Sequence, residues 1–159
     1  MPMTTRTGRV KRGELPSTIQ RSDAKAQRTF AEAHDSAAKE YGSGQRAYRV
    51  AYSALKHTHE KIGDHWAPKP RGAKGPSDRQ AAGGVNTSRK TAGGVDANAS
   101  KTHLYDVAKR LDVSGRSTMS KKQLVKAIEK ANTRKTAGSR KTAGSRKTTG
   151  TRKTAKARS

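Results

Sequence analysis

The sequence predicts an all-α protein in which two small helical modules are joined by a disordered linker and flanked by a disordered basic N-terminal arm and C-terminal tail. Three observations carry that prediction. Apolar residues recur at the three-and-four spacing of a helix face in four separate stretches. Only 30% of the residues are hydrophobic and 4% aromatic, too few to cover one core along the whole chain. The remaining segments are rich in Gly, Ser, Thr and basic residues, a composition that leaves folded islands separated by unpacked chain.

Residues 1–13 are polar and basic without periodicity and read as the arm. The first module, 14–67, opens at Leu15-Pro16, where Ser17 and Gln20 have the spacing of a capping box. From Ser22 to Tyr41, the residues Ala26, Phe30, Ala33, Ala37 and Tyr41 mark one helix face, and Gly42-Ser43-Gly44 breaks it. A second stretch places Tyr48, Ala51, Tyr52, Leu55, His59 and Ile62 on one side, so a helix is expected to continue to Gly63. The short turn folds these two helices antiparallel, with Trp66 positioned to close the end of a small core.

Residues 68–100 read as a Gly, Pro and Ala-rich linker, in which Arg79-Gln-Ala-Ala-Gly-Gly-Val85 is echoed by Arg89-Lys-Thr-Ala-Gly-Gly-Val95. The second module, 101–131, has helix faces at Leu104, Val107, Ala108 and Leu111 and at Leu124, Val125 and Ile128. In the connector between them, Val113 and Met119 are the apolar residues expected to turn inward, with Gly115, Arg116, Ser117 and Thr118 at the surface. Ser120 is the expected N-cap of the last helix. From 132 to 159 a six-residue repeat supplies Arg134-Lys135, Arg140-Lys141, Arg146-Lys147 and Arg152-Lys153 with no acidic residue between them. Its recurrent glycines and lack of large apolar residues point to a disordered tail.

Charge narrows the function. The chain carries 36 Lys and Arg against 12 Asp and Glu, a formal net charge of +24. A field of that sign and density draws polyanions, so nucleic acid and anionic membrane surfaces are the natural partners. The Arg-Lys pairs suit phosphate contact, whereas a tail without aromatic residues offers no base stacking. Thr136, Thr142 and Thr148 follow basic pairs, where phosphorylation would cancel positive charge. The tail resembles the lysine-rich tails of linker histones and of histone-like bacterial chromosome proteins.

Two further resemblances rest on residues already named. The segment from Arg12 to Pro68, through Leu15-Pro16, Phe30-Ala31-Glu32-Ala33, Tyr41, Ala47, Val50-Ala51, Ala54, Lys56 and Lys61 to Trp66, resembles the ChaB family. These are small bacterial proteins described as regulators of cation transport, which implies a helical module that contacts a protein partner such as a cation/proton antiporter. Here that partner is unidentified. The segment from His103 to Ala131, through Leu104-Tyr105, Ala108-Lys109, Leu111, Val113-Ser114-Gly115-Arg116, Met119-Ser120-Lys121, Leu124-Val125 and Ala127-Ile128, resembles the N-terminal motif of the Rho termination factor. That SAP-like helix-extended-helix fold implies nucleic-acid contact, carried here by Arg116, Ser117, Lys121 and Lys122. No ATPase motor follows it.

The expectation is therefore a non-enzymatic nucleic-acid-binding protein, nucleoid-associated or regulatory, with DNA ranked above RNA and cation-transport regulation as the alternative. No phosphate-cradling Gly-x-x-x-x-Gly-Lys loop, Gly-x-Ser-x-Gly elbow or His-Glu-x-x-His pair occurs, so neither an enzyme nor a cofactor is expected. His57, His59 and His65 lie near Glu60 and Asp64, but residues two apart on a helix face different ways, which argues against a metal site. Without cysteine, disulfides are excluded. Neither a transmembrane run nor a signal-peptide h-region is read in the sequence, so a cytoplasmic, nucleoid-associated location is expected.

Overall fold

The computed structural model describes residues 1–84 and 86–148. Its helices are α1 (Ser17–Gln20), α2 (Ala24–Tyr41), α3 (Gln45–Lys56), α4 (Arg79–Ala82), α5 (Lys101–Arg110) and α6 (Lys121–Thr148), and a two-stranded antiparallel sheet, β1 (His59–Ile62) with β2 (His65–Pro68), lies between α3 and α4. The protein is mainly helical, but the all-α expectation is corrected at this hairpin.

The first module forms for the reasons its pattern implies. Asp23 caps α2 by accepting the Ala26 N–H at 2.7 Å, and Gly42, at φ 83°, ends it. Phe30 meets Tyr52 at 4.8 Å between ring centroids while His34 meets Tyr48 at 4.7 Å. As the number rises on α2 it falls on α3, so the pair is antiparallel. The core holds Leu15, Ile19, Ala26, Phe30, Ala51, Leu55 and Trp66. The expected capping box at Ser17 does not form: Pro16 occupies the cap position, and Gln20 instead donates to the Leu15 carbonyl at 2.8 Å.

Helix α3 stops at Lys56, seven residues before Gly63. Beyond it the chain gains more by pairing across a two-residue loop, with Ile62 opposite His65 and His59 opposite Pro68. Gly63, at φ 72°, supplies the positive dihedral that such a loop needs at its first position. The pairing swings Ile62 away from the first core into a second one, with Val95, Leu104, Val107, Ala108, Leu111, Val113, Leu124, Ile128 and Ala131.

Three segments expected to be disordered are packed. In the arm, Met3 is buried, and Asp35 of α2 accepts the Met3 and Thr4 N–H groups at 2.7 and 2.8 Å and the Thr4 hydroxyl at 2.6 Å. Between the modules, Asp78 caps α4, accepts the Ala92 N–H at 3.0 Å and takes the buried Lys56 ammonium at 3.0 Å. The Gly94 carbonyl accepts the Lys61 N–H at 2.8 Å. A Cβ at Gly94 would stand 2.6 Å from the Trp66 ring and 2.8 Å from Lys61, so this glycine, at φ 91°, serves close approach and a fixed positive dihedral rather than flexibility. Composition cannot separate those two uses. In the tail, α6 continues through Thr148, because the first repeat is anchored on the hairpin as described below.

Candidate nucleic-acid interface

The second module places its connector as expected in part. Gly115 takes the left-handed conformation at φ 72°, Arg116–Thr118 make a single 3-10 turn, and Val113 is buried, with Met119 partly buried against the same core. Ser120 and Gln123 form a reciprocal capping box: the Gln123 N–H donates to Ser120 Oγ at 3.4 Å and the Ser120 N–H to Gln123 Oε1 at 2.8 Å. Arg116 departs from its expected free position. Its Nη1 donates to the Val113 carbonyl at 3.0 Å, its guanidinium lies 5.7 Å from the centre of the Tyr105 ring, and its Nε is buried without a hydrogen-bond partner. This arginine ties the connector to α5. Ser117, Lys121 and Lys122 are exposed around the start of α6.

Beyond that start, α6 becomes a one-sided basic surface. Between residues 121 and 141 it carries Lys121, Lys122, Lys126, Lys130, Arg134, Lys135, Arg140 and Lys141 against one acid, Glu129, and all eight cations are exposed. Lys122, Lys126, Lys130 and Arg134 follow one another at four-residue intervals, so their side chains stack on one face, and Lys141 returns to that face two turns later. At 1.5 Å per residue the stripe is about 29 Å long. Among the described residues none of these cations stands in an ion pair.

The opposite face explains why the repeat is helical here. Asn132, 1% exposed, accepts the Gly63 N–H at 2.6 Å and donates to the Lys61 carbonyl at 2.9 Å. Thr136 donates to Asn132 at 2.9 Å and to Gly63 at 3.4 Å, and Ser139 donates to Asp64 at 2.6 Å. That serine bond, ahead of the opposing effect of burial, keeps the Asp64 carboxyl below its usual range. The spacing of 132, 136 and 139 puts all three on one face, and the Lys135 stem lies over Gly63. In the first repeat, then, the hydroxyls dock and the cations face out. Burial of Thr136 removes it from the accessible phosphorylation sites expected above.

Sequence reasoning missed Lys126 and Lys130, although their spacing from Lys122 was visible. Arg146 and Lys147 belong to the last turns of α6, while Arg152 and Lys153 lie outside the described residues. The histidines do not gather: His59 is buried by Thr58 and Asp23, His65 lies by Asp64, and His103 meets Glu60. Among the described residues no group of three His, Asp or Glu side chains is arranged to hold a metal ion. No described helix is long and apolar enough to cross a membrane.

Fold and surface together define a mainly helical protein with one pronounced basic helix. Comparison with known families gives its parts their names. Residues 15–69 match the ChaB family, and residues 100–137 match the Rho termination factor, N-terminal domain. The second match extends past Ala131 to take in Asn132 and Thr136, two of the residues that dock α6. No curated protein and no solved structure matches the chain.

Proposed function

We propose that this is a non-enzymatic nucleic-acid-binding protein, nucleoid-associated or regulatory, that holds the phosphate backbone on the outward face of α6 and at Ser117, Lys121 and Lys122. The observation that supports this most is the unpaired stripe from Lys122 to Lys141, fixed to the body by Asn132, Thr136 and Ser139. A helix already anchored presents its cations in one direction without first having to fold, and the Rho-type segment agrees with that reading. Duplex DNA is the preferred target, because a straight stripe of long cationic side chains follows regularly spaced phosphates.

The experiment is a salt series. Eight phosphate contacts on duplex DNA give log affinity against log salt a slope of about −7. The quadruple variant K122Q/K126Q/K130Q/R134Q should flatten it by roughly 3 to 4. An unchanged slope would sink the proposal. Truncation should follow Lys141, since cutting after Ala131 would also remove Asn132 and Thr136 and so disturb the fold.

The ChaB-type segment favours a second reading, in which the protein contacts a cation/proton antiporter near the membrane and its basic face meets anionic headgroups. Competition between duplex DNA and phosphatidylserine vesicles for the full chain separates the two. Vesicles that displace the DNA at equal phosphate concentration would favour the second.

A further inference from the structure

On the other side of the hairpin from the second core, the first module and residues 80 and 87–94 enclose an open cleft of about 470 Å³. That size lies within the range of small-molecule sites, about 300–1,000 Å³. Its walls combine two chemistries. Tyr48, Tyr52 and Trp66 bring aromatic surface to it, and Arg49, Lys61 and Arg89 bring positive charge. Tyr52 is braced from behind, 4.8 Å from Phe30 and 5.9 Å from Trp66 between ring centroids. Tyr48 is 38% exposed, one of few large apolar side chains so exposed among the described residues. Trp66 is almost wholly buried, yet its Nε1–H finds no acceptor there. Buried donors are rarely left unpaired without a reason.

The electrostatics point the same way. Burial first, then the charges of Arg140 and Arg21, push the Lys61 ammonium below its usual range, with Asp64 opposing them. Arg140 also acts on Tyr52. The turn of α6 that carries Arg140 is therefore near enough to act on two residues of the cleft wall, and the cations gathered at Lys61 outnumber their acids. Such a place takes an anion. An aromatic wall next to it takes a flat, apolar ring, and the unit of a nucleic acid that carries both is a nucleotide with its base out of the stack.

We propose that the cleft receives one unstacked nucleotide of a single-stranded or locally opened strand, its base against Tyr48 and Tyr52 and its phosphate among Arg49, Lys61 and Arg89. This rests on the reading of α6 as the surface that holds the strand: α6 collects the backbone, and the cleft captures a base from it. The arrangement adds to the duplex contact of α6 a selectivity that charge alone lacks, for places on the strand where a base is free.

Trp66 is the only tryptophan of the chain, so the full-length protein reports on the cleft by itself. Titrating it with a single-stranded oligonucleotide should change Trp66 emission, while a perfectly paired duplex of equal phosphate number should bind with little change. In Tyr48→Ala the ratio of single-strand to duplex affinity should fall about tenfold, the loss of one stacking partner. R49Q/R89Q leaves every aromatic contact in place, so it serves as a second variant should Tyr48→Ala loosen α3, and it should lower the same ratio. If Trp66 emission is unmoved at saturating single strand, or both variants leave the ratio unchanged, the cleft is not the site. That failure is distinct from failure of the α6 reading, which would show as a duplex salt slope indifferent to the quadruple variant. A free nucleoside monophosphate that shifts Trp66 emission as strongly as the strand would overturn the assignment to a strand.

Discussion

His59 shows how much a single residue's meaning depends on what surrounds it. It is fully buried, its Nδ1 2.8 Å from the Thr58 hydroxyl and its Nε2 3.4 Å from Asp23. Burial holds its imidazole below the usual range, Asp23 opposes that, and Lys25 adds to it. Asp35 and Asp78 are also held below the usual carboxylate range. For both, burial works upward and is outweighed, at Asp35 by the hydrogen bonds from Thr4 and Met3 and at Asp78 by those from Ala92 and Ala81 with Lys56 beyond them. The sign follows from linkage. A histidine with a lowered folded pKa lets the unfolded chain take up the proton first, so stability falls as pH drops below about 6.5. The two aspartates contribute stability that is present above about pH 4 and lost as pH falls through their folded values. Thermal melts should therefore decline in two stages, and His59→Gln should flatten the upper one. A melting temperature constant from pH 7 to 5 in the parent protein would count against the first stage. Asp78→Ala should cost about 3–5 kcal/mol, because it strands the Lys56 ammonium in the interior. Urea unfolding measures that loss, and limited proteolysis should then open the chain at Arg79 and Arg89.

At the scale of elements, glycine separates the parts of the chain that look alike. Gly94 and Gly138 occur in similar Ala-Gly contexts, but a Cβ at Gly94 collides with Trp66, whereas at Gly138 it meets nothing within 4 Å. Gly94→Ala should therefore destabilise the protein and alter Trp66 emission. Gly138→Ala should stabilise α6 by about 1 kcal/mol and raise helical circular dichroism, as removing an interior helix glycine does. An unchanged spectrum would mean that this stretch is not helical in solution. The helix faces of α2, α3, α5 and the start of α6 were legible because apolar spacing is a local property. The hairpin was not, because the face from Tyr48 to Ile62 satisfies a helix equally well and the strand is chosen by its partner, β2, and by the Lys61 bond to Gly94. The basic residues of the interface were nearly all legible from composition, but not that Arg116 turns back onto Tyr105.

At the scale of the whole molecule, the two family-matching segments are joined through the hairpin. His103 Nε2 donates to the Glu60 carboxylate at 2.8 and 2.9 Å, Ile62 enters the second core, and Asn132 holds both the Lys61 carbonyl and the Gly63 N–H. Two modules coupled by buried polar contacts should unfold as one. Asn132→Ala strands two backbone groups, at about 1–3 kcal/mol each, and should split the calorimetric transition into two. A parent protein that already unfolds in two steps would contradict the coupling.

What the sequence determined by itself was whatever depends on neighbours in the chain or on totals: the helix faces, the break at Gly42, the excess of 36 basic over 12 acidic residues, and the two resemblances. Only the tertiary structure decided which small and polar residues are packed. Asp78, Gly94, Asn132 and Thr136 lie in segments whose composition is that of unpacked chain, and each is held by a partner between 13 and 73 positions away. A contact at that separation leaves no periodic trace in the sequence, because its free energy comes from burial and hydrogen bonds that exist only once both segments have folded.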